Sequence, residues 1–153
     1  MNVKILDTND NVESFASVIR AWFCETQKME FGLDIELFTV FLDIGRLIAL
    51  PDCEIFVLID GETIIGFYGL AISQSKFSKQ RIAEERYYYV MPEKRGISSL
   101  RLLKAAEKWS KEKGCSHFII YASQVAGELH DRTCKLYEKL DMKQFETSYI
   151  KEF

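Results

Sequence analysis

The chain has few of the residues that break, staple or anchor a protein. Two prolines and eight glycines in 153 residues are too few for a disordered or collagen-like chain. Only His117 and His130 offer imidazole, and Cys24, Cys53, Cys115 and Cys134 are scattered with no C-x-x-C pair. A zinc site needs such ligands clustered, so no metal is expected. Free thiols in a reducing cytoplasm account for the cysteines most simply. No run approaches the roughly 20 apolar residues that span a bilayer. The stretch Met1–Asp7 lacks the apolar core of a signal peptide. A cytoplasmic protein with no membrane partner is therefore expected. Positive charge is not in excess either: 20 Lys and Arg against 23 Asp and Glu leave a net charge of −3. That argues against nucleic acid as a partner, with Lys94, Arg95 and Arg101 the one candidate basic patch. There are no internal repeats and no low-complexity segments.

What the chain does have is core. Hydrophobic residues make up 48% and aromatics 13%, enough for one globular domain over 1–153. Val3 to Leu6 read as a strand, and Asp7 to Asp10 as a turn rich in helix caps. Val12, Phe15, Ala16, Ile19, Trp22 and Phe23 recur at helical spacing. A second helix is expected from near Asp34, with Ile35, Phe38, Phe41, Leu42 and Ile48 facing inward. Glu25 to Leu33 lie between the two as a polar connection. Cys53 to Ile59 and Thr63 to Ile72 read as strands joined at Asp60-Gly61. Gly66 and Gly69 inside the second strand signal a bulge or a close backbone approach. Ser73 to Arg81 form a polar loop. The next strand, Ile82 to Met91, alternates Glu84, Arg86, Tyr88 and Val90 on one face with Glu85, Tyr87 and Tyr89 on the other. A helix follows, with Leu102, Leu103, Ala106 and Trp109 inward, capped by Ser98 or Ser99 and ended by Gly114. His117 to Ala122 read as a strand, Gly127 to Leu140 as a helix and Gln144 to Lys151 as a closing strand. His117, near a strand start, reads as structural.

The stretch Tyr87 to Leu103 carries the chemistry. A strand, a tight basic turn and a helix start aim backbone N–H groups and cations at one spot, which suits a phosphate or pyrophosphate. Val90-x-Pro92-Glu93-x-Arg95-Gly96, then small residues and Leu-x-Leu-Leu, resembles the cofactor-binding segment of the GNAT acetyltransferase superfamily. That segment usually reads Arg/Gln-x-x-Gly-x-Gly/Ala. Aligned on Arg95-Gly96, its later small positions are Ser98 and Leu100 here; with Lys94 leading, they are Ile97 and Ser99. Leu136-Tyr137-Glu138-Lys139-Leu140-Asp141-Met142 resembles the family's Leu-Tyr-Glu-Lys-Leu-Gly-Phe segment near the C-terminus. Asp141 takes the place of the usual Gly, and His130 that of a frequent Asn. The second half is also similar to small acetyltransferases of phages and prophages.

The resemblance covers nearly the whole chain. It implies an α/β GNAT fold: a single mixed, mostly antiparallel sheet flanked by about four helices. It implies an acetyl-CoA-dependent N-acetyltransferase in which a primary amine, on a small molecule or a protein, attacks the thioester directly in a ternary complex. Glu84 would be the general base, with Glu85 its rival; a pairing of Arg86 with Glu84 would lower the basicity of that carboxylate. Tyr137 would be the general acid. Backbone groups at Val90 and Met91 would take the pantetheine arm and thioester oxygen. Lys94, Arg95 and the amides of Gly96, Ile97, Ser98 and Ser99 would take the pyrophosphate. Tyr87, Tyr88 and Tyr89, with Trp22, Phe23 and Phe31, would line an acceptor pocket or serve as core. The alternative is a GNAT-fold module that binds CoA or a protein partner without turnover. Transfer to a nucleic-acid base is a third reading, opposed by the acidic balance. A homodimer is left open.

Overall fold

The computed structural model describes residues 1–27, 34–122 and 129–151. Strand β1 (Asn2–Ile5) leads through an Asp7–Asp10 turn into helix α1 (Val12–Thr26). The Asn11 side chain accepts the Ser14 N–H at 2.9 Å, which satisfies one open amide of the first turn. Phe15 and Ile19 face inward from α1 as expected, joined by Val18, whereas Val12 at the helix start is exposed. Helix α2 (Leu37–Ala49) follows, then the hairpin of β2 (Cys53–Asp60) and β3 (Thr63–Gln74). Strand β4 (Arg81–Val90), a single 3₁₀ turn at Pro92–Lys94, helix α3 (Ile97–Glu112), strand β5 (His117–Ile119) and helix α4 (Leu129–Lys139) complete the order.

The five strands lie in the order β1-β2-β3-β4-β5. All pairings are antiparallel except β4 with β5, which α3 joins as a crossover. Helices α1 and α2 cover one face of the sheet, where Phe15, Ile19, Ile44, Leu47, Val57 and Phe67 pack. Helices α3 and α4 cover the other, where Tyr68, Leu70, Leu102, Leu103, Trp109 and Tyr137 pack. The mixed sheet with four helices is the fold the sequence implied.

At Gly66, β3 lies close against β4. A Cβ there would stand 2.8 Å from the Tyr89 carbonyl oxygen and 2.9 Å from Val90 Cγ2. Gly69 marks a break in register: it pairs with Tyr87, while the next residue, Leu70, pairs with Glu85. Arg86 therefore has no partner on β3 and forms a bulge. This corrects the expected faces of β4. One extra residue reverses the alternation, so Glu85 joins Tyr88 and Val90 toward α3, and Glu84 joins Tyr87 and Tyr89 toward α1 and α2.

Three other expectations are corrected. Helix α2 starts at Leu37 rather than near Asp34, and its buried residues are Val40, Ile44 and Leu47. Phe38, Leu42 and Ile48, expected inside, are exposed; α2 is apolar on more than one side, so its spacing alone does not fix its rotation. Helix α3 is not capped by Ser98 or Ser99. It begins from Gly96, whose φ of 112° turns the chain where a side chain would be strained. Finally, Gln144 to Ile150 form no strand among the described residues. Short bonds such as Gln144 to Thr147 tie the segment to itself, and Phe145 and Tyr149 face solvent, so no buried face holds a register. Asp141 does take the left-handed position of the usual glycine, with a φ of 62°.

Candidate active site

The bulge at Arg86 shapes the site. The β4–β5 ladder runs over Ile82–His117, Ala83–Phe118 and Glu84–Ile119, and stops there. Tyr121, just past β5, gives its C=O to a side chain instead. It accepts from the Tyr137 hydroxyl at 3.4 Å. The two strands thus part just beyond Glu84, and the expected strand His117 to Ala122 ends at Ile119.

Adjacent carboxylates flank this gap on opposite faces. Glu84 Oε1 accepts a short hydrogen bond from the Tyr121 hydroxyl, on the α1 and α2 side. No ion pair joins Arg86 to it among the described residues. Glu85 lies on the α3 and α4 side. The residue as a whole is partly accessible, but its Oε2 is sealed from solvent and has no partner among the described residues. The Tyr68 hydroxyl beside it is equally sealed and unpaired; the two influence one another without reaching hydrogen-bond geometry. Burial pushes the Glu85 carboxyl up to about 8 from the ordinary 4.5, against the Tyr68 hydroxyl and Tyr121 amide, which favour its charge. Burial first, and then the charge of Glu85, push the Tyr137 hydroxyl well above the ordinary tyrosine range. Burial and the bond to Glu84 raise Tyr121 to about 12.

At the other end of β4, the Met91 N–H donates to Ile65 O at 2.9 Å. Strand amides alternate in direction, so the Val90 amide faces away from β3, toward the open side of β4. The Val90 carbonyl is taken by Arg95 Nε at 2.9 Å. Arg95 also grips both oxygens of Glu25, at 2.8 and 2.7 Å, and stacks over the Tyr89 ring. Lys94 pairs with Asp60 at 2.8 Å. Past these cations the amides of Gly96, Ile97 and Ser98 have no partner among the described residues, while the Ser99 N–H turns back to Gly96 O at 3.0 Å. The Ser98 hydroxyl contacts Met1 Sδ, and Ser99 O accepts from Tyr88 at 2.8 Å.

The expected aromatic cluster is split by the sheet. Tyr87 and Tyr89 face α1 and α2, where Trp22 meets Tyr87 edge-on at 5.3 Å and Tyr87 donates to Asp43 at 2.8 Å. Tyr88 is on the opposite face. Phe23 is partly buried on α1; Phe31 lies outside the described residues. His117 bonds its neighbour Ser116 and is exposed. His130 contacts Cys134 at 3.6 Å on α4.

A family model described as the acetyltransferase (GNAT) family matches residues 17–142. The chain belongs to the GNAT acetyltransferase family. It is thereby an acyltransferase by descent, and solved GNAT structures share its fold. The ribosomal-protein-alanine N-acetyltransferase of Brucella melitensis biovar Abortus superposes with a TM-score of 0.71 at 17% identity, over 100% of each chain. AAC(6')-Iy, solved with the bisubstrate analogue CoA-S-monomethyl-acetylneamine, gives 0.72 at 14% identity, over 99% of this chain and 97% of its own. Glucosamine-6-phosphate N-acetyltransferase of Arabidopsis thaliana gives 0.71 at 15%, over 99% and 97%. No curated protein matches the sequence.

For this GNAT protein, all four cysteines are free thiols, and no group of three metal-ligating side chains occurs among the described residues. No described helix is long and apolar enough to cross a membrane. Sequence reading missed Tyr68, Tyr121 and Glu25 as members of the site. Nothing local marks them, because each acquires its role from a partner on another element.

Proposed function

We propose that this GNAT protein transfers the acetyl group of acetyl-CoA to a primary amine by direct attack. One observation carries the reading: at the point where β4 and β5 part, Glu84 and Tyr137 reach the backbone break from opposite faces, with unpaired amides at the α3 start further along. The amides of Gly96, Ile97 and Ser98 are donors suited to a pyrophosphate, and Ser99 supports the turn. The Val90 amide, facing the open side of β4, suits the pantetheine arm or thioester oxygen, with Met91 fixing that strand end. Among the described residues Lys94 is held by one partly exposed ion pair, so it is free to exchange Asp60 for phosphate. Arg95 is better suited to bracing the loop than to binding the ligand, since its donors are already committed to Glu25 and Val90 O.

Glu84, facing α1 and α2, takes the proton of the attacking amine directly or through water. The N–C bond forms as the C–S bond breaks, and the thiolate is protonated on the Tyr137 side. On the α1 and α2 face, Trp22, Tyr87 and Asp43 offer an aromatic wall and a carboxylate, which suit a cationic amine.

Calorimetric titration with acetyl-CoA and with CoA tests the cofactor. Micromolar or tighter binding is expected. A panel of amino sugars, aminoglycosides, polyamines and peptide N-termini, followed by CoA thiol release, then tests transfer. Binding without turnover of any amine would favour a non-catalytic CoA-binding module, for which the occupied Lys94 and Arg95 are the supporting observation. No binding by folded protein would overturn both.

A further inference from the structure

Helix α2 carries more apolar surface than the core beneath it uses. Val40, Ile44 and Leu47 face the sheet. Phe38, Leu42, Gly45 and Ala49 follow one another at intervals of four, three and four residues. At 3.6 residues per turn they fall within an arc of about 60° on the opposite side of the helix. All four are exposed, Phe38 at 73% and Leu42 at 49%. No charge interrupts this stripe, and the exposed Ile48 widens it on one flank. A surface helix ordinarily turns polar residues outward. A continuous apolar face on a folded chain marks a place where another surface belongs.

The face is complementary to itself. Glu36 stands at the start of α2 and Arg46 in its last turn. The helical spacing puts Arg46 and Thr39 on the flank away from Ile48. Arg46 is exposed and has no partner among the described residues. The Glu36 carboxylate accepts from Thr39 Oγ1 at 3.0 Å, which holds it toward that same flank. A two-fold axis across a pair of antiparallel helices reverses the chain direction and keeps each flank on its own side. Arg46 of one copy then comes beside Glu36 of the other, and the contact occurs twice. The same register brings Phe38 over Gly45 of the second copy and sets Leu42 against its own counterpart at the axis. Gly45 leaves a hollow for the ring, since nothing lies within 4 Å of a Cβ built there. A parallel pair would instead place Arg46 beside Arg46 and Glu36 beside Glu36.

We propose that the outward face of α2 is the two-fold interface of a homodimer, in which α2 packs antiparallel against α2 of a second copy of this chain. The proposal goes beyond the acetyl-transfer reading and does not depend on it. A helix of 13 residues is about 20 Å long. The interface is therefore at the small end of specific contacts, and a micromolar dimer is expected.

Sedimentation equilibrium of the full chain over a wide concentration range tests it. The wild type should pass from monomer to dimer as concentration rises. Leu42→Lys sets two ammonium groups against each other at the axis and should weaken the dimer on the order of 100-fold. Leu42 faces outward, so circular dichroism and the melting temperature should stay near wild type. Arg46→Glu and Glu36→Lys each put like charges together and should each weaken the dimer by about 10-fold. Mixing these two variants should restore it, because each then meets the opposite charge on the other copy. A wild type that stays monomeric throughout overturns the proposal and leaves the face to a different partner. So does a dimer indifferent to Leu42→Lys, or a mixture of the two charge variants no tighter than either alone.

Discussion

Arg95 and Glu25, 70 residues apart in sequence, meet in a two-oxygen ion pair that ties the end of α1 to the turn before α3. The same guanidinium bonds Val90 O, so it also fixes the end of β4. Arg95, expected as a phosphate ligand, thus has its guanidinium bonded to two internal partners.

Arg95→Ala should therefore lower stability by about 1 kcal/mol, a value discounted because both partners are about one-third exposed. It should weaken acetyl-CoA and a pantetheine fragment by similar factors, since it loosens the β4 end that both use. Lys94→Ala should weaken acetyl-CoA alone. Calorimetry with both ligands separates the two residues; a loss confined to acetyl-CoA in Arg95→Ala would return Arg95 to the phosphate site.

Tyr137→Phe should reduce kcat by about 100-fold while leaving acetyl-CoA affinity near wild type. Among the described residues its hydroxyl makes only a long bond to Tyr121 O, so thermal stability should hardly change. Equal turnover in the variant would remove Tyr137 from the proton path.

Glu85 should make stability depend on pH. Its folded-state carboxyl titrates near 8, whereas an unfolded chain titrates near 4.5. Between these values the folded state holds the extra proton, so stability is highest below about pH 4.5 as far as this group is concerned, and falls as pH rises through 8. The loss is on the order of a few kcal/mol. Glu85→Gln should abolish this slope. Urea denaturation of both proteins at mildly acidic and mildly alkaline pH measures it, and parallel pH dependences would place the carboxyl in contact with water.

Gly66→Ala should cost about 1–3 kcal/mol, because the added methyl meets the Tyr89 carbonyl and Val90 Cγ2 well inside contact distance. The same change at Gly45, where nothing lies within 4 Å, is the control. A similar stability for both would mean that β3 and β4 move apart at little cost.

Much of this was open to reading in the residues themselves. Leu102, Leu103, Ala106 and Trp109 set the buried face of α3 by spacing alone, and all are buried. Gly66 and Gly69 marked the close approach and the bulge. Both family segments lie where their local pattern put them, because strand, turn and helix starts depend on neighbours in the chain. The rotation of α2 was not readable in this way, since Phe38 and Leu42 are as apolar as Val40 and Ile44. Nor was the fate of Gln144 to Lys151, because a strand exists only when another edge receives it.

The sequence alone determined the family and the order of the elements as far as α4. Tertiary structure decided which of them meet. One unpaired residue at Arg86 sends Glu84 and Glu85 to opposite faces, and only the register of β3 against β4 places that residue. Burial then raises the Glu85 carboxyl, and Arg95 pairs with Glu25 from a distant helix. Charge, burial and register are properties of the neighbours that folding assembles, so distant segments of one chain supply them.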